Sequence, residues 1–423
     1  MRKTMPFPRR QIPPLALIKQ NLPTDHIEDV HGEVYRRLLE AGLGSRVKEG
    51  SRIAITAGSR GMGGFVELLL GISDAIKSVG GKPFIIPAMG SHGGATIEGQ
   101  IEILRRLGVT DRSISAPIKA TMNTHALGTS KTGAIAHLDE ICGEADGIIV
   151  LGRTKTHPEN KEGVASGLLK MITVGLGKQV GAQEAHTHGL WPSVKAVPEI
   201  TMAKAKIIFG VAVVENGFRQ PVEIEVVPAT YAAFKDADER LLQTAKPHVA
   251  EIPFQQLDVL IVDELGKNIS GTGMDLNVIG NWRMTGGLHN LDFRRIVALS
   301  LTPESLGNGL GIGLADFTTQ RFVDEYDDAV TYVNLLTATE PGVMNTMEGP
   351  LPLALKTDRE AIEVALFSSL AGTQARVCRI KNTACLDELW VSEALLREVE
   401  QDDKLTVIDE LAPVNFDAEG NLF

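Results

Sequence analysis

Residues 52–64 read RIAITAGSRGMGG, an apolar run that passes straight into glycine-rich chain. The first six positions, RIAITA, predict a buried strand. The glycines of GSRGMGG let the backbone take positive φ and come close to a ligand. Beyond them Phe65, Leu68, Leu69, Ile72 and Ile76 recur at helical spacing, and Gly80-Gly81 ends the helix. Strand, glycine loop and helix make one α/β step, and the chain repeats it. Residues 83–88 (PFIIPA) predict the next strand. The loop GSHGGAT then leads into a helix over 96–107, with Thr96 as its N-cap and Gln100 nearby. Further strands are predicted at 147–151, 206–214 and 222–227. A helix over 230–243 and the segment TAKPHVAEIP read as a connection. A second set starts at LDVLIVDEL (257–265) and RIVALSLT (295–302), with helices near 314–325 and 357–370. The strands ARVCRI and KLTVID close the chain, with a helix between them.

Strands alternating with helices imply parallel or mixed sheets covered on both faces. The expected fold is therefore two α/β domains, residues 1–245 and 246–423. In such sheets ligands sit beyond the carboxyl ends of the strands. The loops holding Arg60, His92 and His157 each follow a predicted strand, so they are expected to gather at one edge.

Composition narrows the function. The chain has 423 residues, 43% of them hydrophobic, enough for large cores. A net charge of −11 argues against a nucleic-acid partner, which demands a basic face. It does not argue against a small anion held in a local basic pocket. Three cysteines, Cys142, Cys378 and Cys385, form no CxxC pair and fit buried thiols in a reducing compartment. The N-terminus is basic but broken by prolines, unlike a signal peptide, and no apolar run reaches 18 residues. The expectation is a cytoplasmic enzyme without a membrane partner, with self-assembly left open.

Three stretches carry chemistry. ITAGSRGMGG (55–64) mimics the glycine motif of short-chain dehydrogenases, and Tyr231-Ala-Ala-Phe-Lys235 supplies their YxxxK pair. That reading implies an NAD cofactor. Against it, Ala57 replaces the first glycine, and no acidic residue ends the second strand to hold a ribose. About fifty residues also precede the first strand, where a nucleotide-binding fold starts at once. GSHGGAT (90–96) puts His92 at a strand end among glycines, able to act as acid or base near neutral pH. RTKTHPENKEGVASGLLKMITVGLGKQVGAQEAHTHG (153–189) is the densest stretch. It offers Lys155, His157, Lys161, Lys170, Lys178, His186 and His188. A desolvated Lys170 suits a nucleophile or covalent anchor. Lys161 and Lys178 suit solvated charge. His157, His186 and His188 also leave open a zinc site for dehydration or hydrolysis, although two histidines at i, i+2 are a weak metal signal.

Taken in order, Arg60 in AGSRG, His92 in GSHGGAT, His157 in TKTHPENKEG, Lys170 in SGLLKM and His186 in QEAHTHG resemble the nickel-dependent lactate racemase family. The resemblance covers the N-terminal half and, more faintly, the rest. It implies two α/β domains with the site in the cleft, and a racemase or epimerase acting on 2-hydroxy acids. It implies a nickel-pincer nucleotide cofactor, anchored covalently by Lys170 as a thioamide with His186 as the protein ligand to nickel. His92 and His157 would be the acid/base pair, Arg60 would contact substrate, and Gly58 and Gly61 would lie against the cofactor. The chain departs from the pattern where Ala57 replaces an aspartate. It departs again in GTGMDLNVIGNWR (271–283), where Asp275 and Asn277 fit but Ile279, Gly280 and Arg283 replace tyrosine, glutamine and lysine. Arg283 and Asn277 remain candidates for substrate contact, with Lys155, Glu159 and Asn160 as further polar groups. Gly280 leaves room for a hydroxy acid larger than lactate, such as a sugar acid.

Overall fold

The computed structural model describes residues 8–155, 166–280, 291–338 and 345–422. The chain forms two α/β units. One comprises Thr24–Val249 with Val333–Asn345; the other comprises Met1–Pro23, Ala250–Tyr332 and Thr346–Phe423. The division expected at 245/246 therefore needs two corrections. Val333–Asn345 groups with the first unit, and the arm before residue 24 groups with the C-terminal chain. For the arm the cause is strand pairing. Leu15–Gln20 lies antiparallel to both Glu388–Ser392 and Leu405–Val407, satisfying its backbone groups far along the chain.

In the first unit five strands run in the order Lys82–Pro87, Arg52–Ala57, Gly147–Arg153, Ile207–Glu215, Pro221–Pro228. The first four are mutually parallel and only the last pairing is antiparallel. Their side chains explain the burial on both faces. Ile53, Ile55, Ile85, Ile149, Leu151 and Val211 face one apolar cluster, Ala54, Phe84, Ile86, Ile148 and Val150 the other. The helix Phe65–Ser78 covers the first face with Phe65, Leu68, Leu69, Ile72 and Ile76, the stripe its spacing predicts. The helix Tyr231–Ala245 covers the second with Phe234, Ala237 and Leu241. From Arg52–Ala57 the chain moves first to one neighbouring strand and later to the other. The strand order therefore reverses beside Arg52–Ala57, where doubly wound sheets bind ligands.

The second unit holds a mixed eight-stranded sheet, in the order Leu353–Leu355, Phe317–Thr319, Asp292–Leu301, Gln256–Leu265, Val377–Ile380, Glu388–Ser392, Leu15–Gln20, Leu405–Val407. The helix expected near 314–325 is shorter, Gln320–Glu325, because Phe317–Thr319 pairs parallel with the neighbouring strand. There Thr318 and Thr319 donate their hydroxyls to the carbonyls of Ala298 and Leu299, each at 2.7 Å. β-Branched residues suit that strand position. Among the described residues no helix is long and apolar enough to cross a membrane.

Candidate active site

Beyond the carboxyl ends of three parallel strands lies a pocket of about 130 Å³. Gly58, Ser59 and Arg60 reach it from the end of Arg52–Ala57, Ala88, Met89 and His92 from the end of Lys82–Pro87, and Arg153 from Gly147–Arg153. Gly167, Lys170 and Met171 close another side. Arg60, His92 and Lys170, far apart in sequence, thus share one pocket.

The loops that carry these groups are tied down by buried and part-buried polar contacts. The Glu215 carboxylate accepts the Gly63 N–H at 2.6 Å and pairs with Arg153 at 2.8 Å. Arg219 donates to the Gly61 carbonyl at 2.6 Å. Gly58 lines the pocket, and Gly61 is not among the lining residues. At the His92 loop the buried Gln100 side chain donates to the carbonyls of Gly90 and His92, at 3.0 and 3.3 Å. Gly90 (φ 58°) and Gly93 (φ 68°) take left-handed backbone there, and a Cβ on Gly93 would lie 2.5 Å from Gly99 backbone.

Lys170 ends the helical turn Leu168–Lys170 and is followed by a π-helical turn, Met171–Gly175. Such turns recur at functional sites. Its ammonium lies 5.1 Å from the centre of the Trp191 ring, a cation–π contact. The turn is held from below by Asp238, almost fully buried, whose two carboxylate oxygens accept the N–H groups of Leu168 (2.8 Å) and Leu169 (3.0 Å). Burial pushes the Asp238 carboxyl up to about 7, while the two backbone donors pull it down.

His186 sits half-buried on the helix Lys178–Thr187, outside the pocket lining. Residues four apart share a helix face, and Ala182, one turn earlier, faces Gly90 of the His92 loop. His188 instead contacts the Glu184 carbonyl through Nδ1 at 3.0 Å. Among the described residues no three His, Cys, Asp or Glu side chains come together as metal ligands would. Lys155 is outside the lining, its backbone N–H donating to the Ser166 carbonyl at 3.0 Å. Asn277 belongs to the other unit, where its N–H and side-chain amide both donate to Asp275. His157, Glu159, Asn160, Lys161 and Arg283 lie outside the described residues.

Two sequence readings change. Lys178, expected as solvated charge, is fully buried and paired with the fully buried Asp139 at 2.9 Å. Tyr231 and Lys235 do not reach the glycine loop's pocket. The Tyr231 hydroxyl donates to the Lys195 carbonyl at 2.8 Å, and Lys235 is exposed beside Glu239. The sequence reading missed Asp238, Arg153 and Glu215, and placed Gln100 only beside a helix N-cap rather than under the His92 loop. Asp238 had a signal, since it interrupts the apolar stripe Phe234, Ala237, Leu241, Leu242 of its helix.

No protein-family model matches the chain, and no curated protein matches it. Among solved structures, it is similar to the lactate racemase apoprotein from Thermoanaerobacterium thermosaccharolyticum. The two are 14% identical, the match covers 88% of this chain and 99% of that one, and the TM-score is 0.49. A likeness of that degree leaves activity and substrate to the site itself.

Proposed function

We propose that this chain is a racemase or epimerase of a 2-hydroxy acid, working with a nickel-pincer nucleotide. The observation that carries the reading is the pocket shared by Arg60, His92 and Lys170, three of the five residues on which the sequence resemblance rests. The donor set fits the group in two respects. Lys170 offers an amine at the pocket wall for a covalent bond, and the Arg60 guanidinium gives the pocket a positive charge that favours an anion. Arg153 adds less, since Glu215 already pairs with it. His186, on the helix face turned to the His92 loop, is the residue to which the resemblance gives the nickel.

When bound, the group would supply the hydride-accepting chemistry that inversion at a hydroxy-acid carbon requires. The protein residues do the rest. Arg60 holds the carboxylate with a two-pronged guanidinium contact. His92 takes the hydroxyl proton as the C–H bond breaks and gives it back on return. His157 is assigned the same task for the opposite enantiomer. Met89, Met171 and Val174 keep the pocket wall apolar, which strengthens each charged contact inside. Asp238 and Gln100 act through backbone, holding the Lys170 turn and the His92 loop. The sequence ground for a substrate longer than lactate is Gly280, which stands where the resembled family has a larger side chain.

The test is a chiral assay of the pincer-loaded protein against a panel of 2-hydroxy acids, including sugar acids. Interconversion by the native chain and none by Lys170→Ala is expected. Full activity of Lys170→Ala would overturn the reading.

A further inference from the structure

Lys178 is one of the most buried residues in the chain, yet it bears a charge and takes left-handed backbone at φ 53°. A non-glycine residue in that conformation costs energy, and a buried charge costs more unless it is paired and hydrogen-bonded. Its ammonium meets three elements. It pairs with Asp139 Oδ2 at 2.9 Å, donates to the Pro87 carbonyl at 2.5 Å and reaches Gln100 Oε1 at 3.5 Å. Asp139 is fixed in turn. Its Oδ1 accepts the Cys142 N–H, and its own N–H donates to the Leu176 carbonyl at 2.8 Å.

These contacts join the two halves of the pocket. Pro87 ends the strand that leads into the His92 loop, and Gln100 holds that loop by the carbonyls of Gly90 and His92. Lys178 itself follows the π-helical turn after Lys170 and opens the helix that bears His186. We propose that the Asp139–Lys178–Gln100 chain is a buried strut that sets the His92 loop in register with the segment carrying Lys170 and His186. Lys178 and Gln100 are thus positioning residues, since neither is among the residues that line the pocket. The roles of His92 and Lys170 rest on the reading above, but the strut can be tested without turnover.

The experiment uses the full-length apoprotein and two variants. Gln100→Leu cuts the link to the loop. The double variant Asp139→Asn/Lys178→Met removes both charges together, avoiding a lone buried ion, and the side-chain amide oxygen it introduces can still cap the Cys142 N–H. Amide exchange is followed by peptide mass, and the His92 ring by its NMR resonance, assigned through its loss in His92→Gln. The strut predicts roughly tenfold or faster exchange over residues 88–100 in both variants, the scale expected for losing one or two buried hydrogen bonds. It also predicts a moved His92 ring resonance, with exchange in Arg52–Ala57 and Gly147–Arg153 unchanged. Native exchange over 88–100 with an unmoved resonance would overturn it. Equal loss of protection in the two strands would overturn it as well, since the pair would then be holding the core rather than the loop. Absence of racemase activity in the native chain would leave either result standing.

Discussion

Asp238 and Leu168 meet through a carboxylate oxygen and a backbone N–H at 2.8 Å, inside the protein and two residues from Lys170. This contact makes the Lys170 turn sensitive to pH. Burial, the largest influence, raises the Asp238 carboxyl from an ordinary 3.8 to about 7. The unfolded chain loses this proton near 3.8, the folded one near 7. Between those values the folded state binds more protons, so stability falls as pH rises. The contribution is complete below about 3.8 and lost by about 7, an interval worth roughly 4 kcal/mol. Asp238→Asn is expected to flatten the slope of urea-unfolding stability between pH 4.5 and 7.5. An unchanged slope would show that another group titrates there.

Gly167→Ala probes the same contact by space. A Cβ on Gly167 would lie 2.1 Å from Asp238 Oδ1, so the carboxylate must leave and both hydrogen bonds go with it. The expected cost is about 2 kcal/mol, the penalty for buried polar groups left unsatisfied. In an Asp238→Ala background most of that cost should vanish, because the collision is gone. Unfolding of the four proteins in denaturant measures it, and strict additivity would contradict the account.

The cysteines separate by burial. Cys142 and Cys378 are buried and Cys385 is half-buried, and desolvation raises all three thiols. Titration with a thiol reagent is expected to give one slowly reacting group in the native protein and three after unfolding. Fast labelling of Cys142 would mean that the buried Asp139–Lys178 neighbourhood opens readily.

Much of the first unit was legible because its strands are runs such as RIAITA and GIIVL, buried on both faces, and its helices carry regular stripes. The Arg60 and His92 loops were legible from glycine beside strand ends. What escaped depends on partners distant in sequence. Leu15–Gln20 carries apolar residues, but the strands it pairs with, Glu388–Ser392 and Leu405–Val407, lie at the far end of the chain. Lys178 reads as surface charge until Asp139, Pro87 and Gln100 are brought to it. Glu215 and Arg153 end neighbouring strands, and only the register of those strands makes them a pair. Phe317–Thr319 looked helical because three strand residues run straight into a helix.

The most direct test of the central claim is the intact mass and nickel content of the protein expressed both alone and with the pincer-synthesis enzymes. The account predicts, with those enzymes present, an added mass that peptide mapping locates on Lys170, with nickel bound and both lost in Lys170→Ala. An unmodified Lys170 in protein from that host would contradict it.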